Sequence, residues 1–381
     1  MPAEPLRITE IVYRILAESI EPTSMNIEKC ANTLAMSATT FRRKLAQEET
    51  SFKLIQTKFL NELCVKELLT NTLKIDELSL KLGYSERATF ERAFRQKFGL
   101  TPAQFRELSI GEHVKGNQGK LISLAKDLSP MPDSCCQLLS EKEQGSLDLE
   151  RVIAIVSKDP VFTGRVIGQA SKAIYGKTPR NLKEAVGRNL GINTVVNFAV
   201  LFGAKDALLS QVDVFIIERY CEAFLLAPKF FQACRKASKI KYNFDLAITE
   251  QTLIFGLIGI LLLCHKGTSC VSATIHAMKG IDDIEILNRH VKKSTELSVF
   301  SASTLMLSLW HIDAGVIKQL SHLDQVTTKN SQGSEQDEFI LFMLSCLFRH
   351  GAGHAITTDI FEKAELIGLQ HFDEIYEGTF N

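Results

Sequence analysis

Two stretches near the start, Ile27–Leu45 (IEKCANTLAMSATTFRRKL) and Ile75–Phe94 (IDELSLKLGYSERATFERAF), resemble each other and decide how the chain is read. Ile27, Leu34 and Ser37 match Ile75, Leu82 and Ser85 at one constant offset. After one extra residue, Phe41, Arg43 and Leu45 match Phe90, Arg92 and Phe94. Each copy reads as helix, tight turn, helix. Ile27, Ala31 and Leu34 lie at i, i+4 and i+7, one apolar face of a helix. Ser37 follows the turn as an N-cap, and Phe41 and Leu45 then point inward. Thr39, Thr40, Arg43 and Gln47 are left on the opposite face. In the second copy Gly83 permits the turn and Ser85 is the expected cap. There Phe90, Phe94 and Phe98 form the inner face, and Thr89, Arg92 and Gln96 the outer one. A polar, arginine-bearing outer face on the second of two short helices suits a helix-turn-helix, whose second helix enters the DNA major groove.

Phe52–Thr70 joins the copies without Pro or Gly and carries Ile55, Phe59, Leu63 and Leu69 at helical spacing. Such a helix is roughly 28 Å long at about 1.5 Å per residue, and one DNA turn is about 34 Å. Two heads on one rod would thus enter successive major grooves on one face of the duplex. The charge balance is less telling. Of 381 residues, 44 are Lys or Arg and 44 Asp or Glu, a net charge of zero that excludes a uniformly basic nucleic-acid binder. Locally, residues 1–110 hold 16 basic against 14 acidic residues, hence +2, and the remainder is −2. Arg42, Arg43 and Lys44 form one knot, and six basic residues between Lys81 and Arg106 face only Glu86 and Glu91. Phosphate binding needs positive charge at the contact surface, not throughout the chain.

The stretch from about Asn26 to Leu108 resembles the DNA-binding domain of the AraC/XylS family of transcription regulators. The second half, IDELSLKLGYSERATFERAFRQKFGLTPAQFREL, is close to the family pattern at Ile75, Gly83, Ser85, Phe90, Arg92, Phe94, Gly99, Thr101, Pro102 and Arg106. Ser79 replaces a usual alanine, Tyr84 and Phe105 exchange aromatics, Arg95 replaces lysine, and Glu49 stands where many members have glycine. The resemblance implies a homeodomain-like double helix-turn-helix that binds double-stranded DNA. It places base contacts on Thr39, Thr40, Arg42 and Arg43 in the first head. In the second it places them on Arg87, Ala88, Thr89 and Arg92. Family heads usually stand at the C-terminus, whereas these are N-terminal.

Ile110–Lys120 (IGEHVKGNQGK) is polar and Gly-bearing, which places a linker there. The expected division is a DNA-binding domain over 1–109, a linker over 110–120 and a larger domain over 121–381. Beyond the linker the apolar residues keep a helical period through Leu147–Ala170, Leu182–Leu209 and Val214–Ala237. Pro130, Pro132 and the Asp159-Pro160 step mark helix starts. The expected class is therefore all-α. Leu253–Cys264 reads as one helix buried on all sides, too short for the roughly 20 residues of a membrane span. Thr327–Glu338 reads as a mobile polar loop, with final helices near Phe339–Phe348 and Phe361–Ile367. The start lacks a secretory pattern, so the nine cysteines are expected reduced, in a cytoplasmic protein.

This larger part resembles the HDOD domain, an all-helical module of bacterial signalling proteins. The likeness rests on Leu128–Ser140, on Asp159 and Pro160, and on Ala170, Ser171, Ala173, Tyr175 and Gly176; the family's usual asparagine is missing from A-S-K-A. HDOD domains are related to HD-type metal phosphohydrolases, which need His and Asp ligands to activate water. Gly259 and Ile260 stand where such ligands are expected. Cys264 and His265 are adjacent and so about 100° apart on a helix. His350 and His354 are at i and i+4 but have two glycines between them. His290, His311 and His322 are lone. The expectation is no metal, no cofactor and no enzyme. The chain reads as a bacterial transcription regulator whose second domain receives a signal or binds RNA polymerase or another signalling protein, away from the membrane. A signalling adaptor, whose heads hold proteins, is the alternative, with a metal phosphohydrolase third.

Overall fold

The structure is a computed structural model that describes residues 7–48, 50–70, 73–109, 132–172, 175–268, 270–310, 312–329 and 332–380. The chain divides into two compact units, Met1–Ile122 and Ser123–Asn381. Regular structure among the described residues is helical, apart from one isolated bridge between Ser238 and Leu369. The linker expected over 110–120, with Pro130, Ala173, His311 and Glu49, lies outside the described residues.

The first unit contains α1 (Ile8–Glu18), a 3-10 turn (Pro22–Ser24), α2 (Ile27–Thr33), α3 (Ala38–Gln47), α4 (Phe52–Thr70), α5 (Ile75–Lys81), α6 (Arg87–Phe98) and α7 (Pro102–Ser109). Val12 and Leu16 of α1 close a core with Cys30, Ala31, Phe41, Leu45, Phe52 and Ile55. The Glu48 carboxylate caps α1 by accepting from Ile8 N (2.7 Å) and Thr9 N (3.0 Å). The α4 rod has the expected length, but one apolar stripe does not run along it. Phe52 and Ile55 are buried at its start, and Cys64, Val65 and Leu68 near its end, while Leu63 is half-buried. The two ends serve different cores: α4 packs on α1 at one and on α7 at the other.

The second unit begins with α8 (Asp133–Glu143), α9 (Leu149–Ser157) and α10 (Pro160–Ala170). A short turn, α11 (Leu182–Glu184), runs into a π-helical stretch (Ala185–Leu190). Then come α12 (Ile192–Leu208), α13 (Val214–Ala237), α14 (Leu246–Phe255), α15 (Gly259–Leu263), α16 (Val271–Gly280), α17 (Ile284–Thr295), α18 (Val299–Leu309), α19 (Ala314–Lys329), α20 (Glu335–Ala352), α21 (Thr358–Leu366) and α22 (Phe372–Phe380). Asp159 caps α10 by accepting from Phe162 N at 2.9 Å, with Pro160 in the first turn. The core is layered around α13, which packs on α20, α14 and α22, and around α18, which packs on α15 and α19.

Two expectations are corrected here. The apolar run is longer than Leu253–Cys264, since Leu246–Leu263 has the length and composition to cross a membrane. It is not one helix. It breaks after Phe255, and 78% of that window is buried inside the protein. Ser303 Oγ donates to Gly256 O (2.6 Å) and accepts from Gly259 N (2.8 Å), taking over backbone groups that a continuous helix would pair internally. The backbone of α18 also comes so close that a Cβ on Gly259 would lie 2.2 Å from Val299 O. In the polar stretch expected as a loop, Thr327–Lys329 close α19 and Glu335–Glu338 open α20, and Thr327 is buried. Its hydroxyl accepts from Asn288 Nδ2 (2.8 Å), which also donates to the buried Asp324 (3.0 Å). Ser334 caps α20 through Asp337 N at 3.2 Å.

Candidate nucleic-acid interface

The repeat in sequence is a repeat in hydrogen bonding. In the first head Ala35 N donates to Asn32 O (3.0 Å) and Met36 N to Ala31 O (2.9 Å). In the second, Gly83 N donates to Leu80 O (2.8 Å) and Tyr84 N to Ser79 O (3.0 Å). Both turns place one residue in the left-handed region, Ala35 at φ +50° and Gly83 at φ +79°. Ser37 caps α3 as expected, accepting from Thr40 N at 3.1 Å. Ser85 does not cap α6. The extra residue of the second copy moves the helix start to Arg87, so Glu86 takes the N-cap position without a side-chain bond.

The helices bury and present the expected faces. On α3, Phe41 and Leu45 are buried, while Thr39, Arg42, Arg43 and Gln47 are exposed. Thr40 is half-buried and shares its hydroxyl with Ser37 Oγ at 2.9 Å. Arg42 makes an open ion pair with Glu28 at 3.6 Å. On α6, Phe90, Phe94 and Phe98 are buried, and the Phe94 and Phe98 rings stack at 4.3 Å. Arg87, Ala88, Thr89, Arg92 and Gln96 are exposed. The eight expected base-contact residues thus fall in two groups, each on the outer face of the second helix of a head.

The cations are less equal than their spacing suggests. Arg87 is held by Glu91 (2.7 Å) and Asp76 (3.4 Å), and its pKa is raised chiefly by the Glu91 hydrogen bond. Lys81 pairs with Glu67 at 2.8 Å. Arg106 turns inward to donate to Leu73 O at 2.8 Å, and burial lowers its pKa. Arg43, Arg92 and Arg95 have no ion-pair partner among the described residues. Lys81, Arg87 and Arg106 therefore serve contacts within the protein. The i, i+4 spacing of Arg87 and Glu91 was the one legible signal; Asp76, Glu67 and Leu73 lie too far along the chain.

The second unit gives its candidate ligands other work. Gly259 and Ile260 are buried against α18. Cys264 is buried, with Met278 Sδ 3.9 Å from its Sγ. His265 is buried and its Nδ1 accepts from Gly267 N at 3.0 Å. His350 lies against the Phe380 ring at 4.7 Å, and His354 Nε2 meets Met278 O at 2.7 Å. His350 lies in the last turn of α20 and His354 just beyond its end, with Gly353 ending the helix at φ +81°. His322 meets Asp337 at 3.0 Å. Among the described residues no group of three or more His, Cys, Asp or Glu is gathered to hold a metal.

Against known proteins, a helix-turn-helix domain family model matches residues 30–108 and an HDOD domain model matches residues 128–325. The HTH-type transcriptional regulator VqsM of Pseudomonas aeruginosa is 34% identical over 92 residues, 24% of this chain and 28% of that protein. The HTH-type transcriptional regulator AdiY of Escherichia coli is 28% identical over 98 residues, 26% of this chain and 38% of that protein. The chain thus spans well under half the length of these curated relatives. An HDOD domain protein with unknown function from Geobacter sulfurreducens is similar at TM-score 0.45 and 12% identity, over 68% of this chain and 87% of that one.

Proposed function

The chain belongs to the HDOD family and carries an AraC-type helix-turn-helix domain ahead of its HDOD domain, and on that premise we propose that it is a sequence-specific, DNA-binding transcription regulator. The observation that carries the proposal is the pair of heads with one shared hydrogen-bond pattern, each presenting Thr and Arg on the outer face of its second helix. Arginine reads guanine edges and threonine contacts the thymine methyl, while lysine and arginine contacts to phosphate set the register. Thr39, Thr40, Arg42 and Arg43 read one half-site, and Arg87, Ala88, Thr89 and Arg92 the other. The domains run over 1–109 and 121–381, and the protein acts in the cytoplasm. The HDOD domain is non-catalytic: it takes in a signal, or contacts RNA polymerase or another protein, and so controls occupancy of the site.

Gel-shift titration against genomic fragments at several salt concentrations tests this. A preferred fragment, bound with a salt-dependent affinity, is the expected result. If no fragment is preferred over random DNA, the regulator reading is lost and the heads serve protein partners instead.

A further inference from the structure

The 3-10 turn Pro22–Ser24 lies before the first head, yet it meets the second. Gln56, on the rod α4, donates from Nε2 to Pro22 O (2.7 Å) and Met25 O (2.8 Å), which fixes the turn to the rod. The turn then meets the corner of the second head. A Cβ on Gly83 would lie 1.7 Å from Thr23 Oγ1 and 3.0 Å from Thr23 Cβ. Beside this contact Glu21, Thr23 and Ser24 face Leu80, Tyr84 and Ser85 across a cleft of about 310 Å³. Rod, turn and corner thus close a ring of contacts between the heads. A single helix holds two heads at one distance but bends gently along its length; a second strut removes that freedom. Gly83 therefore meets two demands, the left-handed backbone of its own turn and the close approach of Thr23.

We infer that Thr23, Gln56 and Gly83 are positioning residues that lock the spacing between the two heads, and so make the protein selective for the distance between its two half-sites. The inference rests on the DNA-binding reading. One inserted base pair moves a half-site by about 3.4 Å and turns it by about 35°, a change that a closed ring cannot follow.

The test uses the full chain and its preferred fragment, with one base pair inserted or removed between the half-sites. Wild type is expected to lose about tenfold in affinity or more on either change, which is about 1.4 kcal/mol. Thr23→Ala and Gln56→Ala should bring that ratio within about threefold, with affinity for an isolated half-site unchanged. Gly83→Ala should weaken binding to the parental site, and adding Thr23→Ala should recover part of the loss. If both single variants discriminate spacing as wild type does, or the Gly83→Ala loss persists undiminished beside Thr23→Ala, the inference is overturned. A second arm needs no DNA. Hydrogen exchange followed by mass spectrometry should show Gln56→Ala speeding exchange in both 21–26 and 80–86. Faster exchange in 21–26 alone also overturns it. Absence of any preferred fragment would sink the DNA-binding reading instead, and the exchange arm would still decide whether the heads are coupled.

Discussion

Arg87 and Arg92 stand five residues apart on α6 and meet different surroundings. Arg92 is exposed without an ion-pair partner among the described residues, whereas Arg87 must leave Glu91 and Asp76 before it can reach a base. Arg92→Ala should therefore cost about 1–3 kcal/mol of specific binding and relax the preference at one base pair. Arg87→Ala should cost less, and equal losses in gel-shift titration would show that DNA draws Arg87 off its carboxylates. Glu48 supports a second prediction. Desolvation acts to raise its pKa, but the Thr9 hydroxyl, the Thr9 and Ile8 N–H groups and the Arg7 charge together hold it below the ordinary carboxylate value. A depressed carboxylate stabilises the fold above its unfolded pKa, and that stability is lost as pH falls through the folded value. Glu48→Gln should cost about 1 kcal/mol at neutral pH, the usual scale of a lost cap. The difference from wild type in urea denaturation should shrink below about pH 4.3. A difference that stays constant down to pH 2 would refute it. Inward and outward faces were legible at this scale from the spacing of Phe41, Leu45, Phe90 and Phe94. The partners of Lys81 and Arg106 were not, because periodicity carries no record of contacts made across the fold.

The apolar run at 246–263 shows what an element-level reading misses. Hydropathy reports that the segment is buried but not that it is broken, and the signal of the break was Gly256 and Gly259, each at a close approach. Ser303 fills the break, so Ser303→Ala leaves Gly256 O and Gly259 N buried without their partner. The expected loss is about 1–3 kcal/mol, read as a lower denaturant midpoint with unchanged helix content. Gly259→Ala should be worse, since its methyl meets the α18 backbone; if it were as stable as wild type, the approach of the two helices would be wrong. The spacing predicts the extent of the rod α4 but not its buried faces. A helix shared by two cores shows no single apolar stripe, because its two ends bury different sides.

At the scale of the molecule, the net charge of zero hides how few cations the recognition helices present. Besides Arg87, which Glu91 and Asp76 hold, Arg42, Arg43, Lys44, Arg92 and Arg95 are exposed there. At about 0.9 per neutralised phosphate, five cations give a slope of log affinity against log salt no steeper than about −4 to −5. Binding to random DNA should accordingly be weak at physiological salt, with base contacts supplying the preference. A slope near −10 would mean that lysines outside the two recognition helices also dock on the backbone. The all-helical class was legible because helical periods survive in sequence, and both domain families because their motif residues resemble known ones. The division of cations between DNA and protein was not, since it depends on which carboxylates the fold brings near.

All nine cysteines are described, and none is in a disulfide. Cys136 is exposed and Cys270 half-buried, while the other seven are buried. Cys30 sits in the core of the first head and Cys64 on the part of α4 that serves the second. Burial pushes both of these thiols up, and those of Cys135, Cys221 and Cys264 up to about 12. Alkylation proceeds through the thiolate, so each buried sulfur stays silent until its surroundings open. The chain thus carries its own set of unfolding clocks. Timed iodoacetamide labelling with mass spectrometry should mark Cys136 first and Cys270 next. In rising urea, Cys30 and Cys64 should then become reactive at one midpoint if the two heads melt together, and at two if each opens alone.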